Sequence, residues 1–219
     1  MTDFQSLKVT KRDGRQEPIN LDKIHRVLDW AAEGLNNVSV SQVELKSQIQ
    51  LYDGMRTQDI HETIIKAAAD LISTETPDYQ YMAARLAIFH LRKIAYGQFE
   101  PPHLFDHVTT LTEMKRYDQH ILRDYSRDEF DQLNQHIDHN RDLNFSYAAV
   151  KQLEGKYLIQ DRVSRRVYES PQMLYMLIGM CLFADYPRDT RLDYIKRFYD
   201  AISTFKISLP TPIMSGVRS

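Results

Sequence analysis

Leu7-Lys8-Val9-Thr10-Lys11-Arg12-Asp13-Gly14-Arg15-Gln16-Glu17-Pro18-Ile19-Asn20-Leu21-Asp22-Lys23-Ile24 opens the chain's readable architecture. Leu7 to Lys11 has strand-like content, Asp13-Gly14 is a turn signal, and Pro18-Ile19 resumes an extended stretch, so the segment predicts a small β-hairpin. Asn20 then stands before Leu21, Ile24, Val27, Leu28, Ala31 and Ala32. These recur at helical spacing until Gly34, a residue suited to the position just past a helix. A second helix is expected from about Ser41 to Tyr52, ending at Asp53-Gly54. A third starts near Thr57, read as its cap, with Ile60, Ile64, Ala67, Ala68 and Leu71 as its buried stripe. Asp59 and Glu62 lie in its first turn, where the helix dipole favours acids. A fourth follows Pro77 and runs to Gly97.

Working outward, Glu100-Pro101-Pro102 is the strongest boundary signal, because consecutive prolines cannot continue a helix. The expected organisation is one domain over 1–97 and a second over 98–219. The fold class is mainly α: a β-hairpin cap on four helices, then a helical domain with a short inserted hairpin. In the second half Ser126-Arg127-Asp128-Glu129 has capping-box spacing, and helices are expected near 144–154, 171–184 and 188–204. Lys156–Ile159 and Arg166–Glu169 read as paired short strands, and Ile207 to Pro212 as non-helical.

Composition bounds the chemistry. The 219 residues carry 28 Lys and Arg against 30 Asp and Glu, a formal net charge of −2. That balance argues against a general nucleic-acid binder while leaving room for a local basic pocket. With 42% apolar and 11% aromatic residues the chain is globular in composition. A single cysteine, Cys181, excludes an intrachain disulfide, a cysteine redox pair or a multi-cysteine zinc site within this sequence. Lying in an apolar run, Cys181 reads as a buried, inert thiol. No apolar window reaches membrane-span length, the run from Met173 to Ala184 being interrupted by Gly179. Met1-Thr2-Asp3 lacks the pattern of a secretory signal. A soluble, cytoplasmic chain without a membrane partner is the expectation.

Lys11 and Arg12 by the hairpin turn, Lys23 in the first helix, Arg56 and Thr57 at the third, and Arg92 and Lys93 near the end of the fourth make a basic and polar group. Helix N-terminal amides with nearby lysines suit a phosphate, although from spacing alone a solvated surface is the more ordinary reading of such residues. There is no Walker loop and no GxGxxG. His61 and His90 have helix positions that aim them toward the same end as Thr57 and Lys93. The pairs His103/His107 and His136/His139 have metal-compatible spacing but no third ligand, and read as structural or surface residues.

Longer strings carry a resemblance. Val9 to Gly14 with Glu17 to Ile24 resembles the start of an ATP-cone domain. Trp30-Ala31-Ala32-Glu33-Gly34, Asp78-Tyr79-Gln80-Tyr81, Tyr96-Gly97-Gln98-Phe99-Glu100-Pro101, Gln152-Leu153-Glu154-Gly155-Lys156-Tyr157-Leu158 and Ile207 to Gly216 resemble the large subunit of class Ia ribonucleotide reductases. The resemblance implies an allosteric site for ATP or dATP, with Mg2+, formed by Lys11, Glu17, Pro18, Ile19, Asn20, Leu21, Asp22, Lys23, Thr57 and Lys93, with His61 and His90 as additions. In that reading Lys11, Lys23 and Lys93 hold the triphosphate while Glu17 and Asn20 address the adenine edge. Leu209-Pro210-Thr211-Pro212 resembles the segment that sets a threonine against the diphosphate of a ribonucleoside diphosphate substrate, which selects Thr211. The family reduces ribonucleotides with thiyl-radical chemistry and a radical from a diiron small subunit. The resemblance therefore implies that the small subunit is a partner and that catalytic cysteines come from a C-terminal part or a second chain, with no catalytic residue here. A stand-alone ATP-cone regulatory module is the alternative; its zinc ribbon needs more cysteines than Cys181.

Overall fold

A computed structural model describes residues 7–219, so the reading of Met1 to Asp3 lies outside the described residues. The chain divides into two compact units, Met1–His90 with Leu143–Val150, and Leu91–Asp142 with Lys151–Ser219. The division passes through a helix that continues to Tyr96, ahead of Glu100-Pro101-Pro102.

The first unit is built on β1 (Lys8–Thr10), β2 (Gln16–Pro18) and β3 (Met55–Arg56), in the order β2-β1-β3. β1 and β2 pair antiparallel, Val9 opposite Glu17, and the turn between them closes through Lys11 N–H to Arg15 O at 2.8 Å. Gly14 takes a φ of +83°, which L side chains rarely adopt. β3 is an addition to the expected hairpin. It pairs parallel to β1, Thr10 opposite Arg56, and the Thr10 hydroxyl donates to Gly54 O at 2.8 Å. Helices α1 (Leu21–Ala32), α2 (Val40–Gln48), α3 (Thr57–Ala69) and α4 (Tyr79–Tyr96) follow. Asn20 caps α1, its side chain accepting from Lys23 N–H at 2.9 Å. The α1 core face holds Leu28 and Ala31, and that of α3 holds Ile60, Ile64, Ile65, Ala67 and Ala68.

The second unit contains α5 (Leu104–Glu113), α6 (His120–Asp124), α7 (Arg127–His136), α9 (Pro171–Leu182), α10 (Arg191–Ser203) and α11 (Thr211–Gly216); α8 (Tyr147–Gln152) straddles the division. The Ser126/Glu129 capping box forms as expected, and Glu129 also receives a bidentate Arg191 at 2.7 Å on each oxygen. α9 is buried from Pro171 to Met180. Gly179 permits α10 to approach: a Cβ there would stand 3.1 Å from Phe198 and 3.3 Å from Ile195.

Three local expectations need correction. The inserted hairpin is reduced to one bridge, Gln160 with Val167, and Lys156 and Tyr157, expected in its first strand, belong to a π-helical turn over Leu153–Tyr157. The reason is a side-chain substitute for the ladder: Ile159 N–H donates to the Glu169 carboxylate at 2.8 Å. The segment read as non-helical through Pro212 already enters α11 at Thr211, because a proline in a first turn lacks only an amide that would be unpaired anyway. Thr57 is the first residue of α3, Arg56 occupying the cap position. Cys181 is half-buried, and burial pushes its thiol up to about 12. Among the described residues no helix is long and apolar enough to cross a membrane.

Candidate functional site

The register of the small sheet gathers part of the anticipated site. Lys11 follows Thr10, which stands between Gln16 on one neighbour and Arg56 on the other. Lys11 is thereby set beside Glu17 on β2 and next to the point where β3 turns into α3 at Thr57. Lys11 Nζ lies 2.7 Å from Glu17 Oε1. The lysine holds the Glu17 carboxyl below its ordinary range, its hydrogen bond being the main cause.

β3 runs straight into α3, and no side chain caps that helix. Its first-turn amides are therefore left without the side-chain acceptor that Asn20 supplies to α1. The Arg56 guanidinium forks onto Asp59 at 2.8 and 2.9 Å, offsetting the acid of the first turn; Glu62, expected in that turn too, falls beyond it because the helix starts at Thr57. Thr57 adds a hydroxyl at the same terminus. One turn on, His61 stacks on His90, ring centroids 5.5 Å apart at 29°. His61 also lies 5.6 Å from Phe89, and Phe89 lies 5.9 Å from Trp30. His90 is 5% exposed, with Nε2 at 3.9 Å from Glu62.

Asn20 has its side-chain oxygen committed to the α1 cap, which leaves its amide NH2 as a donor. Pro18 ends β2, Ile19 N–H donates to Leu7 O at 2.8 Å, and Leu21, Asp22 and Lys23 form the first turn of α1. Lys93 lies a turn beyond His90 along α4, in the part of the helix that belongs to the second unit. Trp30 and Phe89 were not singled out by sequence as site residues; each sits in a helical apolar stripe, and only the ring geometry distinguishes them.

The remaining histidines have separate structural partners. His103 caps α5, accepting from Phe105 N–H at 3.2 Å, whereas His107 is buried with Nε2 at 2.9 Å from the Tyr117 hydroxyl. His136 lies 3.0 Å from Asp200. Burial pushes the His107 and His139 rings down to about 4. Among the described residues no group of three or more His, Cys, Asp or Glu converges as a metal site. Thr211, exposed at the start of α11, has its hydroxyl 3.3 Å from that of Tyr157.

What this donor set suits is an anion with several negative oxygens next to a flat ring: unfilled helix amides, lysines and a hydroxyl for the first, stacked rings for the second. Residues 7–94 match the ATP cone domain model, and residues 143–219 match that of the ribonucleotide reductase all-alpha domain. The chain is 73% identical over 215 residues to ribonucleoside-diphosphate reductase 1 subunit alpha of Escherichia coli, a match covering 98% of this chain and 28% of that protein. This chain belongs to the ribonucleotide reductase large-subunit family. The alpha subunit of Haemophilus influenzae is 71% identical over 98% of the chain, and that of Enterobacteria phage T4 is 46% identical over 99%. In all three cases the chain spans 28% of the relative's length. Within the family frame, the first unit carries the ATP-cone match, and Thr211 falls inside the all-alpha match.

Proposed function

We propose that the chain serves as the N-terminal part of a ribonucleoside-diphosphate reductase large subunit, and that its first unit binds ATP or dATP as an activity effector. The observation that carries this reading is the register that sets Lys11 and Glu17 beside the uncapped start of α3 at Thr57. Lys11, Lys23, the Thr57 hydroxyl and the α3 amides would hold the triphosphate. Glu17 offers an acceptor and the Asn20 amide a donor toward the adenine edge, while Pro18, Ile19, Leu21 and Asp22 shape the same stretch. His61 and His90 supply ring surface. The place of Lys93 in this set rests on the resemblance alone. Mg2+ would accompany the triphosphate and be held by its oxygens.

The second unit would present Thr211 to the diphosphate of a ribonucleoside diphosphate. The reaction proposed for the assembled protein is reduction of that substrate to the 2′-deoxy form, with a radical from a diiron small subunit as partner. Titration calorimetry of the 219-residue chain tests the effector reading. Lys11→Ala and Thr57→Val should each weaken ATP and dATP binding together, by about tenfold for loss of one charge-assisted contact. Unchanged affinity in both variants refutes it.

A further inference from the structure

Wholly within the second unit, a cavity of about 530 Å³ is lined by Lys115, Arg116, Lys156, Arg162 and Arg165 together with Tyr157 and apolar Leu158 and Ile159. Five cations on one concavity are unexpected in a chain of net charge −2. Ser219 also lines the wall, and the acidic side chain beside the cations is already committed. Asp161 accepts Arg116 at 2.8 Å, the Val163 and Ser164 amides at 3.0 and 2.8 Å, and the Ser164 hydroxyl at 3.1 Å. Arg116 is further occupied by the face of Tyr168, 5.0 Å away. Lys115, Lys156, Arg162 and Arg165 are exposed and have no ion-pair partner among the described residues. Asp161 thus works as the keystone of the turn that carries Arg162 and Arg165. Its own N–H donates to Arg166 O, and its carbonyl accepts Arg165 N–H, both at 2.9 Å.

A second observation concerns backbone. Lys115 and Arg165 have φ of +55° and +59°, and only two other non-glycine residues among those described share that conformation. Left-handed positions favour glycine, because a side chain there crowds its own carbonyl. At both places where this cavity's wall turns left-handed, the chain carries a long cation in a conformation that disfavours it. At Lys115 that conformation also closes α5, the Lys115 and Arg116 amides donating to Thr112 O at 2.9 Å and Leu111 O at 2.8 Å; what the sequence adds at both positions is a cation where glycine would serve.

We propose that this cavity binds a phosphate-bearing small molecule, held by Lys115, Lys156, Arg162 and Arg165. Guanidinium forks match phosphate oxygens and lysines add point charge. The volume is that of a small-molecule site, and the cations share the wall of one concavity, which favours a compact anion over an acidic peptide. Ser215 contributes shape more than a proton, since its hydroxyl already donates to Thr211 O at 2.8 Å. Tyr157 joins this cavity to Thr211.

The test uses the full chain with Lys11→Ala and Thr57→Val combined as background, so that anion binding in the first unit is weakened at two contacts, and titrates pyrophosphate, ADP and a polyglutamate peptide. Pyrophosphate should bind, more weakly as salt rises, and Lys115→Gly with Arg165→Gly should raise its Kd about tenfold. The same double variant should be at least as heat-stable as its parent, since glycine relaxes both left-handed positions. A Lys156→Gln/Arg162→Gln pair gives the same readout without touching the backbone. ADP binding much tighter than pyrophosphate identifies a nucleotide as the source; equal affinities identify inorganic phosphate chemistry. Pyrophosphate affinity unchanged in both double variants, or binding of polyglutamate that pyrophosphate does not displace, overturns the proposal.

Discussion

Removing the guanidinium of Arg218 is the sharpest test of how the second unit holds together. Arg218 and Glu169 are both fully buried. The arginine donates through Nε to both carboxylate oxygens at 3.2 Å, and it also donates to Met214 O and Tyr157 O at 2.7 Å each. It therefore ties α11, the π-helical turn and the segment before α9 into one knot. Arg218→Met keeps the volume but strands the Glu169 carboxylate with only the Ile159 amide and the Tyr117 hydroxyl as donors. Breaking a buried pair from one side costs about 3–5 kcal/mol, which corresponds to a fall in Tm of roughly 10–20 °C for a domain of this size. Adding Glu169→Gln should return about 2 kcal/mol or more, because replacing both charges removes the stranded ion. The neutral amide also has partners. Its oxygen can accept the Ile159 amide, and its NH2 can donate to the Tyr117 oxygen, whose own proton turns to His107 Nε2 at 2.9 Å. His107 is neutral near pH 7, since burial pushes it down to about 4. Urea unfolding followed by circular dichroism measures all four corners of the cycle. If Arg218→Met costs under about 1 kcal/mol, or if the double variant loses the sum of the two single losses, the buried pair is not the tie described.

Two further outcomes follow from packing and burial. Gly179→Ala should gain up to about 1 kcal/mol in helix propensity but lose about 1–3 kcal/mol to overpacking against Phe198 and Ile195, for a net fall in thermal stability; Gly155→Ala, which meets nothing within 4 Å, should not fall, and equal behaviour of the two would show that the helices do not approach at Gly179. His107, lowered to about 4 chiefly by burial, binds its proton more readily unfolded than folded, so its contribution is complete above about pH 6.5 and is lost as pH falls toward about 4, by about 3 kcal/mol at most; His107→Gln should flatten unfolding free energy over that window, and an unaltered acid limb refutes the assignment.

The elements that were legible in the sequence are those specified by neighbours. Asp13-Gly14 sets the hairpin turn, Asn20 the α1 cap and Ser126 with Glu129 the α7 capping box, each within four residues. β3 was not legible, because two residues carry no alternation and their parallel partner lies far back in sequence. The strands expected around Lys156 and Arg166 failed for a related reason: β-like content was present, but the Glu169 side chain took the amide that a ladder would have used. At the candidate effector site helix phase suggested only that His61 and His90 face the same end as Thr57; their stacking on each other had no signal in the sequence. The Lys11–Glu17 pair depends on register, and the Trp30–Phe89 contact joins separate helices, so neither had a local signal. The buried Arg218 is the extreme case, since arginine is ordinarily a surface residue and its partner stands 49 positions away.

If the first unit binds its effector as proposed, the Lys11–Glu17 pair would make the hairpin its own competitor for anions. With Glu17 Oε1 at 2.7 Å, an incoming anion must offer Lys11 more than the carboxylate already does, while facing repulsion from that same carboxylate. A singly charged oxyanion gains little by the exchange; a polyphosphate can engage the lysine and the α3 amides together and tolerate the neighbour. On the proposed effector reading, this built-in counter-ion would favour a polyphosphate over a simple anion before the shape of the ligand is tested.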